Sequence, residues 1–267
     1  MISLEPYQQR SGTNYAERTA TWRNLLETYY SVMFHLAHFM QVKYQGSLDI
    51  FKDSNYLDCI KTGQGTPNLK EIYLGINNLT GVFPAFISNA SRLTVLDLSN
   101  NILSGSIPDS LGNLEFLEVL QIGLNKLIYQ NPSSQLTFLT SLTRCRNLRE
   151  LVIAPNPLNG ILPVSIGNFS SSLQIFSAPR CKLRGIIPEE IGNLTNVLTI
   201  SLFANDLTGF IPKTVKGLQK LQRILIQSNM ISGTIPDEIC HLQNIGDMSF
   251  KGKQNFRSVA IVFGESY

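Results

Sequence analysis

The sequence predicts an α/β repeat solenoid, with a parallel sheet along a curved concave side and 3-10 or short helical turns along the convex side. Three observations predict it. Units of near-constant length begin at Leu69, Leu93, Leu117, Leu148, Leu173, Val197, Leu221 and Ile245, spaced 24, 24, 31, 25, 24, 24 and 24 residues apart. Within a unit, apolar residues recur at intervals of three, two and five, as at Leu93, Leu96, Leu98 and Leu103. A G-x-φ-P step (φ apolar) then follows, as at Gly105–Pro108 and Gly209–Pro212. A single unit of this kind cannot bury its own apolar side, so units stack and share one continuous core.

Each element of the unit has a physical reason. The three-two-five spacing suits inward positions of a coil rather than one face of a helix, and each buried side chain is worth about 1.5–3 kcal/mol. A polar column comes next: Asn77, Asn101, Asn125, Asn156, Cys181, Asn205 and Asn229. A carboxamide there can satisfy backbone groups of the bend that burial would otherwise leave unpaired; Cys181 is a small substitute. Glycine permits a turn closed to other residues. Proline opens the return segment, where no ladder N–H is required. An apolar residue and G-N-L follow, as in Leu111-Gly112-Asn113-Leu114, and predict the short convex turn.

The unit L-x-x-L-x-L-x-x-N-x-L is the leucine-rich-repeat signature. With L-x-G-x-I-P and G-N-L added, it resembles the plant-specific class of these repeats, found in ectodomains of receptor-like kinases and receptor-like proteins and in secreted polygalacturonase inhibitors. The stretches L-T-F-L-T-S-L-T-R-C-R-N-L (Leu136–Leu148) and N-G-I-L-P-V-S-I-G-N-F-S-S-S-L (Asn159–Leu173) resemble the receptor serine/threonine kinase subfamily of the flagellin and EF-Tu receptors. The resemblance implies a non-catalytic recognition module that takes a peptide or protein ligand and pairs with a co-receptor of the same repeat class. It also implies a plasma-membrane or extracellular setting and a role in defence or developmental signalling.

Along the chain, residues 1–66 form a non-repeat segment, 67–256 carry about eight units, and 257–267 form a tail. Met1–Arg10 has no apolar h-region and does not read as a secretory signal. Residues 13–45 have helical apolar spacing. They read as an amphipathic cap on the solenoid, as a membrane span, or as a segment with no fold of its own. Thr28–Val42 is uncharged but short of the roughly 20 residues a span requires. Gly63–Thr66 reads as a linker. The extra residues of the third unit fall after Leu127, where a solenoid places a loop. In the eighth unit Met248 and Phe250 keep the ladder, Lys253 stands where Asn is expected, and S-V-A-I-V-F near the end suggests one more strand. The resembled class pairs cysteines in its caps, and no such pair is visible.

The net charge of +3 contains no basic stripe, which speaks against nucleic acid as a partner. Four scattered cysteines, Cys59, Cys145, Cys181 and Cys240, do not make a disulfide scaffold. Of three histidines, His35 and His38 share a helix side without metal-ligand companions, and His241 adjoins Cys240, from which it diverges. No G-x-S-x-G, H-E-x-x-H, P-loop, H-R-D or D-F-G is present. No catalytic residue, metal site or cofactor is therefore assigned, and the kinase of the resembled receptors is absent from these residues.

Strand residues pointing away from the core form the candidate ligand face: Tyr73, Asp97, Gln121, Glu150, Val152, Ser177, Arg180, Ser201, Phe203, Arg223, Leu225 and Gln227. Tyr73, Arg180, Phe203 and Arg223 are candidate anchors, because aromatic and arginine side chains dominate interface energetics. Any one of them also reads as a solvated strand position. N-x-S/T acceptors stand at Asn78, Asn89, Asn168 and Asn193. Two alternatives to a receptor module remain open: a secreted enzyme inhibitor of the polygalacturonase-inhibitor type, and a truncated gene product without independent function.

Overall fold

The computed structural model describes residues 69–131 and 134–250. The strands among them are β1 (Glu71–Tyr73), β2 (Thr80–Val82), β3 (Val95–Asp97), β4 (Ile102–Ser106), β5 (Val119–Gln121), β6 (Lys126–Ile128), β7 (Glu150–Val152), β8 (Ile175–Ser177), β9 (Arg184–Ile186), β10 (Thr199–Ser201), β11 (Asp206–Thr208), β12 (Arg223–Leu225) and β13 (Asp247–Ser249). The readings of 13–45, Thr28–Val42, His35, His38, Cys59, Gly63–Thr66, Lys253 and the last strand lie outside the described residues.

Every predicted unit contributes one strand to an eight-stranded parallel sheet of order β1-β3-β5-β7-β8-β10-β12-β13. The period sets the register: Leu96 pairs with Ile72 and Leu120, and Ile200 with Phe176 and Ile224. This row and the other ladder positions fill the core from Leu79 to Leu242. Burial fades at the ends, where Leu69, Ile72 and Leu74, and then Ile245, Met248 and Phe250, are only partly covered. The eighth unit thus keeps its strand and its ladder.

The asparagine column does more than close its own bend. Asn205 Nδ2 donates to the Leu202 carbonyl of its own unit (2.8 Å) and to the Ala178 carbonyl of the preceding one (2.9 Å). Its Oδ1 accepts from the N–H groups of Cys181 (2.9 Å) and Leu183 (3.0 Å). Asn101 joins its neighbours in the same way. At Cys181 the carboxamide is missing, and its Sγ lies 3.5 Å from the Pro179 carbonyl oxygen. There the preceding coil connects through its backbone: Asn159 N–H donates to the Cys181 carbonyl at 3.0 Å.

The return segments are 3-10 helices at Ala85–Asn89, Asp109–Asn113, Val164–Asn168, Glu189–Asn193, Lys213–Gly217 and Asp237–His241. A proline precedes each one, as Pro188 and Pro212 do. Each sends a side chain into the core, such as Ile191 or Val215. In the third unit the extra length yields α1 (Thr137–Leu142), which buries Phe138, Leu139 and Leu142. The G-N-L glycine has a packing role. A Cβ on Gly192 would overlap the Thr214 carbonyl of the next coil. In the G-x-φ-P step Gly209 takes φ +75°. Gly160 differs: Asn159 takes the positive φ (57°), and a Cβ on Gly160 would strike Leu136.

A feature beyond the sequence reading is a second set of short parallel strands after the asparagine column. It comprises β2-β4-β6 and β9-β11, with isolated bridges from Gln135 to Ile161 and from Ile161 to Arg184 between them. Its pairs slip relative to the main sheet, so Gly81 faces Leu103 and Gly185 faces Leu207.

Candidate functional site

Because strand side chains alternate, each main-sheet strand offers two residues to the open face. The register aligns them in two continuous columns. One runs Glu71, Val95, Val119, Glu150, Ile175, Thr199, Arg223 and Asp247. The other runs Tyr73, Asp97, Gln121, Val152, Ser177, Ser201, Leu225 and Ser249. Nine of the twelve candidates, Tyr73, Asp97, Gln121, Glu150, Val152, Ser177, Ser201, Arg223 and Leu225, stand in these columns.

The other three do not. Phe203 and Gln227 follow the strands, half-buried where the chain turns away. The Gln227 carbonyl accepts from the Ala204 N–H at 2.9 Å, and Gln227 Oε1 is buried without a partner. Arg180 requires correction: it lies on no strand but on the loop after β8, exposed, with φ 53°. Ser201 requires one too. It holds its column position but is 6% exposed, so it offers little surface. In the row beyond the strands, Gly123, Ala154 and Pro179 are buried as well.

Charge divides the face. At its β1 end, Tyr73 is 45% exposed beside acidic neighbours. Partial burial, and then Glu71 through both charge and a hydrogen bond, raise the phenol's pKa; Asp97 adds to this. Burial also raises the Asp97 pKa, although Ser99 opposes it by donating N–H and Oγ–H to Oδ1 at 2.9 and 2.6 Å. Further along, Gln121 reaches Glu150 at 3.5 Å. Arg223 is paired with Asp247 at 3.0 Å, which engages part of its guanidinium.

Sequence reasoning missed Lys182. With Arg180 it lines a shallow cleft of about 290 Å³ beside Leu124, Asn125, Pro155, Asn156 and Pro157. Lys182 also has a positive φ (54°). No shared residue type marks such turn positions, so spacing alone does not reveal the pair.

The four sequon asparagines are all exposed. Asn168 and Asn193 end successive 3-10 helices, and a Cβ on Gly167 would lie 3.0 Å from Asn193 Nδ2. Among the described residues, no His, Cys, Asp and Glu side chains gather to hold a metal ion. No helix among them is long and apolar enough to cross a membrane.

Comparison with known proteins agrees with this architecture. Leucine-rich-repeat family profiles match residues 67–127 and 220–242. Receptor-like protein 18 of Arabidopsis thaliana is 32% identical over 109 residues, covering 41% of this chain and 12% of the relative. A probable leucine-rich-repeat receptor-like serine/threonine-protein kinase of the same plant is 46% identical over 69 residues, covering 26% and 7%. Among solved structures, the plant peptide hormone receptor RGFR1 in complex with RGF2 aligns with a TM-score of 0.64 at 35% identity. That alignment covers 70% of this chain and 28% of the receptor. The chain therefore spans about an eighth or less of the curated relatives it matches. It is built of leucine-rich repeats, and its relatives include plant receptor-like proteins and receptor-like kinases.

Proposed function

We propose that residues 67–256 are a non-catalytic recognition module of a plant receptor-like ectodomain, and that the open face takes an extended peptide or protein segment. The observation that carries this reading is the pair of in-register columns. They present a strip of polar, charged and aliphatic side chains, with Tyr73 near one end and a gap only at buried Ser201, that runs across eight strands and is long enough for an extended ligand. The solved relative with a peptide hormone bound supports the same use. Tyr73 and Arg223 are the column anchors; Phe203 and Arg180 border the strip. A co-receptor of the same repeat class is the second partner. The module works on the extracellular side of the plasma membrane, flanked by residues 1–66 and 257–267.

Display of random 12-residue peptides against the immobilised protein tests the reading. Selected peptides are expected to lose at least tenfold in affinity with Tyr73→Ala or Phe203→Ala, and nothing with Val164→Ser on the convex side. Equal binding by all three variants would overturn it. The purified chain is expected to transfer no phosphoryl group from ATP to a generic kinase substrate. Expressed behind a signal peptide, it is expected to lose mass on glycosidase treatment, which checks Asn78, Asn89, Asn168 and Asn193.

A further inference from the structure

The cleft beside Arg180 and Lys182 carries positive charge that no side chain lining it offsets. Its floor is apolar: Leu124 is 43% exposed, with Pro155 and Pro157 beside it. No carboxylate lines it. Among the described residues, neither Arg180 nor Lys182 forms an ion pair. Asp206, which follows Asn205 as Lys182 follows Cys181, stands opposite Arg184 in the β9–β11 register. We propose that the cleft holds an acidic stretch of the ligand, with an apolar side chain of that stretch on the Leu124–proline floor. In taking a peptide as the ligand, the proposal rests on the reading of the adjoining open face.

The two cations are held in place by backbone. They are exposed, flank buried Cys181, and both take a left-handed conformation, φ 53° and 54°. The next coil fixes that shape. Arg180 N–H donates to the Phe203 carbonyl at 3.0 Å, and Asn205 Oδ1 accepts from the N–H groups of Cys181 and Leu183 at 2.9 and 3.0 Å. Like charges held this close repel, and the left-handed region suits asparagine or glycine better than arginine or lysine. Among the described residues, no ion pair or hydrogen bond of either side chain offsets that cost. An anionic partner meets both charges on a backbone already ordered, so less entropy is lost on binding. Lys126 extends the positive field. It follows Asn125 as Lys182 follows Cys181 and is exposed on β6. It stands two coils away, roughly 10 Å at the ordinary strand spacing and about the reach of three extended residues.

Charge and floor together select the ligand class. The cations exclude a cationic ligand. A small inorganic anion meets the charges and leaves the apolar floor in water. Nucleic acid needs a longer basic stripe, which a net charge of +3 and three cations do not supply. A peptide stretch with carboxylates on either side of an apolar side chain meets the cations and covers Leu124 at once.

The test is fluorescence anisotropy of the whole chain with three labelled dodecapeptides, built of repeated Glu-Leu-Glu, Gln-Leu-Gln or Lys-Leu-Lys. In low salt the acidic peptide is expected to bind saturably and at least tenfold tighter than the other two. Combining Arg180→Gln with Lys182→Asn should weaken it about tenfold. Combining Arg180→Glu with Lys182→Glu should transfer the preference to the basic peptide. Asparagine accepts the left-handed backbone, so Lys182→Asn remains informative if the glutamate variant does not fold. Equal binding of the three peptides, indifference to the cleft variants, or tighter binding of trigalacturonate than of the acidic peptide would overturn the proposal. Displayed peptides that depend on Tyr73 and Phe203 but not on Lys182 remove the cleft and leave the open face standing. Acidic-peptide binding lost with Lys182→Asn, when Tyr73→Ala and Phe203→Ala affect no peptide, supports the cleft and removes the open face instead.

Discussion

Asn205 shows how much one side chain can hold. Its carboxamide bonds with backbone groups of two coils, almost entirely out of water. Asn205→Ala leaves those groups without these partners and is expected to cost about 3 kcal/mol in urea unfolding. The two core thiols are the opposite case, bound weakly and shielded fully. Burial pushes Cys181 up to about 12 and Cys145 up to about 11. At pH 8 iodoacetamide should therefore modify Cys240, which is exposed, and reach Cys145 and Cys181 only after denaturant is added. Asp97 gives a pH prediction. Its pKa is raised by folding, so the stability linked to it is complete below its unfolded value of 3.8 and lost as pH rises through the higher folded value. Asp97→Asn should match wild type at low pH and become the more stable protein as pH rises above that window; the reverse trend in thermal melts would refute this. At this scale the sequence is partly legible. The asparagine column is plain because one chemistry recurs. The left-handed residues just before it are Ile76, Asn100, Leu124, Arg180, Ala204 and Ser228. They share a backbone shape and no side-chain property, so nothing in their identity announces the turn or places Arg180 off the sheet.

At the scale of elements, the tightest constraint is where the 3-10 helices of successive coils meet. Gly192→Ala drives a methyl into the Thr214 carbonyl, and Gly217 stands in the same relation to Gly192. Backbone atoms yield less readily than a side-chain tip. The substitution should cost about 1–3 kcal/mol, whereas Val164→Ser on the exposed convex surface should change little. Helix propensity alone favours alanine over glycine, so a neutral or more stable Gly192→Ala would count against this packing. Main-sheet strands and convex turns were legible because apolar period and Pro–Gly punctuation act within one unit. The second strand set was not, since it pairs glycine of one unit with leucine of the next at a slipped register that no single unit reveals. The third unit was legible as an insertion, but its conversion to α1 was not, since the start of α1 is tied down by Thr137, which meets Tyr129 and, in the preceding unit, Asp109.

At the scale of the whole array, each coil touches only its neighbours, so protection should grade along the chain. Ladder residues from Leu93 to Leu221 are almost fully enclosed, while Leu69, Ile72 and Leu74 of the first unit and Ile245, Met248 and Phe250 of the eighth are half-open. Amide hydrogen exchange is expected to be slowest through β5–β10 and fastest at β1 and β13; uniform protection would argue against a linear array. The candidate face follows from period and alternation alone, which is why its columns could be read in advance. Its exposure could not, because burial of Ser201 depends on what stands beside it. The asparagine ladder also points one way: from Asn101 onward, each carboxamide fastens its own coil to the one before it. A gene segment of one period, cut at any phase and copied in tandem, therefore brings its own staple and offers the next copy a place to attach. Such an array can lengthen or shorten by duplication and deletion without redesign of its seams.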